Sequence, residues 1–339
     1  MPHDSARRTR LPPNKYRYRP LVSKNVEYVF VDNGFFRLAN VGPSIVNPLN
    51  LFNAVLCNLM TFYSLYLAIV TRKWYTLFYL YFVSMAGALG LTAGVHRLWS
   101  HRTYDAHWSV RVFLMLIYCS VPHGSLFEWA RGHRVHHKFS DTDADPINPL
   151  RGMVFAHAGF FLTTEHPDVA RAEAKIPGHD LMADPVIRFQ HRYSTPLMYI
   201  MTILILVVQM VFLDNTFLEA FATGVCTRFN FTSQSLFLIN SAAHFIGHKP
   251  YKSDCSATEN NLVHLVSIGE GHHNYHHAFP FDYRTGEGIG AGINITQLFI
   301  ELCAKLGLAW NLKTASPNLI KVSLEKIDGQ KQNQDLHCH

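Results

Sequence analysis

Long stretches without one ionisable side chain set the first expectation for this chain. Residues 48 to 70 contain no Asp, Glu, Lys, Arg or His, and neither do residues 75 to 94. Each run, wound as a helix, is long enough to cross a hydrocarbon layer of ~30 Å, so spans are predicted over about 48–70 and 75–95. Only Thr71, Arg72, Lys73 and Trp74 separate them, which predicts a tight helical hairpin, though two cations at its tip sit poorly with the positive-inside rule. A third uncharged run, 193–213, is bounded by Arg192 and Asp214. A fourth apolar stretch, 216–243, is interrupted by Glu219 and Arg228, which are expected to snorkel or to face the bundle interior. Residues 112–127 are apolar but too short for a span, and Pro122, His123 and Gly124 break the pattern, so an interfacial or re-entrant helix is expected there. The predicted fold class is an all-α integral membrane protein with four transmembrane helices.

Four spans put 95–192 and 244–339 on the same side as the N-terminus. Residues 1–45 carry Arg7, Arg8, Arg10, Lys15, Arg17, Arg19 and Lys24 and lack the apolar core of a secretory signal. They read as a cytosolic basic segment, followed by a membrane domain over 46–320 and a polar, disordered tail over 321–339. Composition agrees: hydrophobic residues are 48% and charged ones 16% of the 339, against roughly 25% charged in a soluble domain. The six cysteines show no CxxC pair, so neither a disulfide framework nor a zinc knuckle is indicated. The net charge of +6 suits a surface facing a cytoplasmic leaflet, and nothing resembles a nucleic-acid module.

The anomaly is histidine, 21 residues against 30 Lys plus Arg. Three clusters stand out: His96-Arg-Leu-Trp-Ser-His101, His133-Arg-Val-His136-His137 and His273-Asn-Tyr-His276-His277. In the second and third, the i, i+3, i+4 spacing puts three imidazoles on one helical face, where they can converge on a metal. The first pair, five apart, diverges on a regular helix and so calls for a helix end. Asn240-Ser-Ala-Ala-His244 adds an amide and an imidazole at i, i+4. Lone histidines such as His107, His157, His179, His191 and His264 read as surface or hydrogen-bonded residues, and His272 is out of register with the third cluster. Asp141, Asp143 and Asp145 alternate as in a calcium loop, but Pro146 and Gly152 replace the required Gly and Glu. These acids are expected to orient imidazoles by accepting the second ring N–H. Eight or nine imidazoles without thiolates exceed what one four-coordinate zinc needs, so two ions sharing the set are expected, with iron, zinc, copper and nickel all compatible.

At these residues the chain resembles the membrane acyl-CoA desaturases of the stearoyl, Δ9-like type. The segments Gly-Leu-Thr-Ala-Gly-Val-His96-Arg-Leu-Trp-Ser-His101, His133-Arg-Val-His-His-Lys-Phe-Ser-Asp-Thr-Asp-Ala-Asp-Pro146, Asn240-Ser-Ala-Ala-His244 and His273-Asn-Tyr-His-His277-Ala-Phe-Pro280 match in order and spacing, within a likeness covering about 45–320. The resemblance implies a four-span endoplasmic reticulum enzyme, both termini cytosolic, with a cytosolic helical cap carrying a histidine-ligated di-iron site. Such enzymes take electrons from cytochrome b5 and its reductase, reduce O2, and introduce a cis double bond into a saturated acyl chain, usually acyl-CoA. By position, one iron (Fe2+/Fe3+) would be held by His96, His101, His133, His137 and His276. The other would be held by His136, His244, His273 and His277, with Asn240 acting through a water.

The head-group positions depart from the family. Trp129 and Arg131 remain as expected substrate contacts, but Gly132 follows Arg131 where Asp is usual. Thr164-Glu165 stands where an Arg-Lys pair usually precedes His-Pro, here His166-Pro167, and Phe237 replaces a Trp. A polar pair before Trp129 is altered at His123 and Gly124. The alternatives are therefore a desaturase acting on another acyl carrier, a di-iron acyl hydroxylase, or a catalytically silent lipid-binding homologue. Ser84 and Ala88, on one face of the second span above His96, are candidates for setting acyl tunnel depth.

Overall fold

The structure is a computed structural model and describes residues 46–287 and 292–337; the basic segment expected over 1–45 lies outside them. Helix α1 (Pro48–Thr71) starts where the Asn47 side chain accepts from the Leu49 and Asn50 amides, with Pro48 in the first turn, a position that needs no amide donor. It ends at Arg72 in the left-handed region, and α2 (Trp74–Leu89) begins two residues later. The hairpin is as tight as the sequence implies.

Helix α2 does not stop at the end of the apolar run. It continues as a π-helical segment, Gly90–Ser100, so one uninterrupted helix carries the chain from the apolar run into the first histidine cluster. The wider turn resolves the spacing of His96 and His101. The His101 amide donates to the His96 carbonyl at 3.2 Å, the five-residue closure of a π-helix, and the two rings lie 5.0 Å apart. What diverges on an α-helix converges here.

Helix α3 (Trp108–Cys119) runs antiparallel along α2. A Cβ on Gly94 would meet the Leu114 side chain at 3.2 Å, on Gly90 the Tyr118 amide nitrogen at 2.5 Å, and on Gly87 the Val121 side chain at 2.4 Å. Glycine at 87 and 90 is what permits this approach. The chain then reverses through Pro122–Gly124, and α4 (Leu126–Phe139) returns, capped by Ser125. The segment expected to be interfacial or re-entrant is thus a short apolar helix, a turn and a returning helix packed against α2 and its π-helical extension.

Short helices α5 (Phe160–Leu162), α6 (Pro167–Glu173) and α7 (His179–Met182) lead to α8 (Pro185–Phe212). The third predicted span began at 193; the helix begins at Pro185 and bends at Tyr193 (φ −115°), three residues before Pro196, whose ring and missing N–H explain the kink.

The fourth predicted span, 216–243, is divided. It comprises α9 (Phe217–Phe221), a π-helical turn at Ala222–Thr227, α10 (Arg228–Asn240) and α11 (Ala242–Phe245). Glu219 forms a capping box with Thr216 and pairs with Lys73 at 3.5 Å, while Arg228 is buried and donates to the Gly224 carbonyl. Among the described residues, three helices are long and apolar enough to cross a membrane: Pro48–Thr71, Trp74–Ser100 and Pro185–Phe212.

The remaining elements are α12 (Asn261–Val266), α13 (His273–Ala278), α14 (Ile295–Lys305) and α15 (Pro317–His337). The all-α expectation needs one amendment, a two-residue antiparallel ladder of β1 (Asp105–Ala106) with β2 (Ala309–Trp310). The tail expected to be disordered from 321 is helical to His337; Ile327 is buried and Ser323 donates to the Tyr251 carbonyl. The core lies between α2, its π-helical extension, α3, α4 and α8, around Val95, Leu114, Tyr118, Leu126 and Ile187.

Candidate metal centre

Four pieces of backbone deliver imidazoles to one place: the π-helical segment with His101 just beyond it, α4, α11 and α13. They form two groups. His96, His101, His133, His137 and His276 bring one ring nitrogen each within 4.8 Å of one another, as do His136, His244, His273 and His277. In the first, Nε2 of His276 lies 2.9 Å from Nε2 of both His96 and His137, and Nε2 of His101 is 2.8 Å from that of His133. In the second, Nε2 of His277 is 3.3 Å from that of His136 and 3.1 Å from that of His273. Helix α4 supplies both groups, as does α13, so the same two helices scaffold both. Asn240 is half-buried at the end of α10, four residues before His244.

Seven of the nine imidazoles are held in the form that binds metals. Burial, reinforced by neighbouring rings, holds His101, His133, His137, His244, His276 and His277 well below the usual imidazole range and brings His273 down to about 3. Neutral rings offer a lone pair, and the partners of the far nitrogens choose which atom carries it. His96 Nδ1 faces Glu270 Oε2 at 3.1 Å, and His136 Nδ1 faces Asp145 Oδ1 at 2.9 Å. His244 Nδ1 meets Ser256 Oγ at 2.7 Å. Donation from Nδ1 leaves Nε2 as the lone pair directed into the group. The Nε2 of His244 is buried with no partner, as expected where a cation completes the set. Imidazole suits iron, zinc, copper and nickel alike, and the two groups fit bound metal ions.

Of the three alternating acids, only Asp145 touches an imidazole. Asp141 acts one step back, accepting from the Ser256 amide at 2.7 Å and from its hydroxyl. Asp143 lies 3.5 Å from the Asn148 amide and orients no ring.

Sequence reasoning missed Glu270, Arg97 and Ser256. Burial works to raise the Glu270 carboxyl, but Arg97 and His96 outweigh it and hold it down at about 2. Arg97 is fully buried and donates to Glu270 and to the Tyr283 carbonyl. An acid three residues before the third cluster and a cation inside the first were the signals; Ser256 left none. Of the lone histidines, His157 lies between Ser241 and Gln234 and His191 on Ser125, as expected, but the side chain of His264 is neither at the surface nor hydrogen-bonded: it is buried, with its ring packed on His272 at 4.1 Å. His272, set aside from the clusters, bonds Glu259 at 2.6 Å.

Trp129 stacks on His133 at 5.0 Å and forms a wall of the first group. Arg131 donates to the Glu173 carbonyl. Phe237 is buried among His157, Phe160 and Phe161. Thr164 and Glu165 are exposed between α5 and α6.

Long apolar helices topped by two all-histidine groups define a membrane-associated, metal-dependent protein of the histidine-box class. The chain belongs to the fatty acid desaturase family, whose model matches residues 72–285, and it is an oxidoreductase. It is 39% identical over 297 residues to an acyl-CoA Delta12-desaturase of Acheta domesticus, covering 84% of this chain and 83% of that protein. A Delta(9)-fatty-acid desaturase of Caenorhabditis elegans is 42% identical over 257 residues, 76% of each chain. The stearoyl-CoA desaturase of Capra hircus is 42% identical over 267 residues, 78% of this chain and 74% of its own.

Proposed function

We propose that this protein is an O2-dependent fatty acyl desaturase that introduces a double bond into a saturated acyl chain, with acyl-CoA as the substrate its relatives' names suggest. The observation that carries the reading is the gathering of nine histidines into two compact groups in a member of this family. His96, His101, His133, His137 and His276 would hold one iron ion, and His136, His244, His273 and His277 the other, with Asn240 acting through a water. When bound, the iron pair supplies the oxidising power, drawn from O2 and two electrons, needed to remove hydrogen from two adjacent methylene carbons. The chain's own contribution is orientation and exclusion of water. Glu270 and Asp145 fix two rings, and Trp129 covers the first group, keeping the site dry and shaped.

In this reading the helical run from Phe217 to Asn240 is a fourth span, which places α4 and α13 on one side of the endoplasmic reticulum membrane together with both termini. The electrons come from cytochrome b5 and its reductase. One observation favours a second carrier: Glu165 contributes an anion and Thr164 a neutral side chain near the head-group region, where a CoA phosphate asks for cations.

Expression in yeast lacking its own desaturase, followed by lipid analysis, tests the function. New double bonds are expected, with a mass loss of two hydrogens rather than a gain of oxygen. Absence of product from every saturated chain supplied would overturn the proposal. Parallel assays on acyl-CoA and phospholipid-bound chains decide the carrier.

A further inference from the structure

The outer face of α14 is apolar where a helix bordering water would be polar. Its exposed positions are Ile295, Leu298, Leu302 and Lys305, continued by Leu306, while Thr296, Gln297, Ile300 and Cys303 point inward. The exposed apolar positions repeat at i, i+3 and i+7, a hydrophobic outer stripe opposite an inner face that mixes Ile300 and Cys303 with the hydrogen-bonded Thr296 and Gln297. The acid on α14, Glu301, is drawn inward by Gln297 Nε2 at 2.8 Å and by the Tyr283 hydroxyl at 3.0 Å. Lys305 is therefore the exposed charge on this face. Beside it, Leu262 and Leu265 of α12, Ile293 and Trp310 of β2 are also exposed.

Two contacts fix the depth of this helix. Thr296 Oγ1 meets Thr92 Oγ1 at 2.8 Å, four residues before His96 on the long helix Trp74–Ser100. Phe299 stacks on Phe113 of α3, the helix that descends along α2, at 6.1 Å. The first turn of α14 thus joins the membrane-length helix one turn below the histidine site, level with the end of its uncharged run 75–94.

We infer that the outer face of α14, with Leu262, Leu265, Ile293 and Trp310, is immersed in the lipid leaflet on the side of the histidine site. The helix lies in the plane of the leaflet, with its leucines among the acyl chains. The Trp310 indole and Lys305 ammonium sit at the headgroup level, where an aromatic ring and a cation are each favoured. Lipid suits this face better than a second copy of the chain, because α14 is anchored at Thr92, inside the helix Trp74–Ser100 that is long and apolar enough to cross a membrane. The consequence is that His96 and its group open at the lipid–water boundary, where an acyl chain partitioned into the leaflet already resides.

The test places a nitroxide at residue 298 or 302 of the full chain in lipid nanodiscs, through Leu298→Cys or Leu302→Cys in a Cys338→Ser background. The five described cysteines are buried, so labelling is selective, and a monodisperse elution profile verifies each folded variant. Collision with lipid-soluble O2 is compared with collision with a water-soluble nickel chelate. References are a label at Phe62, exposed on α1, and one at Lys326, exposed on α15. At both positions the O2-to-nickel ratio is expected to lie at least tenfold above that at Lys326 and to approach that at Phe62. A ratio matching Lys326 overturns the inference, and so does exclusion of both reagents, which would mean that protein covers the face.

Discussion

Replacing Asp145 by Asn isolates one half of the metal centre. Asp145 is buried, and its Oδ1 accepts from His136 Nδ1 at 2.9 Å and from the Ile147 amide at 3.1 Å, while Oδ2 accepts from the Asp141 amide at 3.1 Å. Asn preserves the shape and one acceptor, but its NH2 would face an N–H, donor against donor. The lost anion no longer holds His136 in the tautomer that directs Nε2 into its group. Losing such a partner typically weakens metal binding by about 10- to 100-fold, or roughly 1.4 to 2.7 kcal/mol. The unpaired amide adds about 1–3 kcal/mol against folding. Since Asp145 touches only the group of His136, His244, His273 and His277, one of two binding steps should shift and the other stay within about threefold. Metal-stripped protein in detergent, titrated with Co2+ against a competing chelator, reads both steps, and thermal unfolding reads the fold. Equal displacement of both steps, or of neither, would refute the division into two independently oriented groups.

Three further outcomes are expected. Ser84→Phe, at a buried position of α2 twelve residues before His96, should shift the product profile toward shorter acyl chains; an unchanged profile in the yeast assay removes α2 from the tunnel. Asn274→Ala should destabilise the protein by about 2–4 kcal/mol in thermal unfolding. Its amide accepts from the Tyr251 and Lys252 amides and donates to the Lys252 and Ala257 carbonyls, so a loss below about 0.5 kcal/mol would contradict that role. Burial, helped by His272, pushes His264 down to about 4, against roughly 6.5 unfolded. Between these values the unfolded chain binds a proton that the folded chain refuses, so up to about 3 kcal/mol of stability is lost as pH falls from 6.5 to 4. His264→Ala should show a shallower fall of the unfolding midpoint over that window, and an equal fall would assign the effect elsewhere.

The local features that were legible in the sequence are those whose physics is local. Runs without charge read directly as α1 and the start of α2, because the cost of burying an ion in hydrocarbon is paid residue by residue. The HxxHH spacing in α4 and α13 was legible because a helix fixes which residues share a face. Less legible were the π-helical turns: His96 and His101 seemed to need a helix end, whereas a change of helical pitch brings them together. The bend of α8 before Pro196 and the divided run from Phe217 to Asn240 likewise blurred the boundaries of two predicted spans.

By itself, then, the sequence determined the apolar helices, the histidine-rich chemistry and the resemblance to a family. Only the tertiary structure showed the nine imidazoles brought within reach of one another in two compact groups, Glu270 rather than Asp143 orienting a ring, and α14 turning an apolar face outward. The reason is range. Helical periodicity and burial of charge act over a few neighbouring residues, whereas an ion-sized group needs His96 and His276 to meet across 180 positions, a choice that packing of the whole bundle makes.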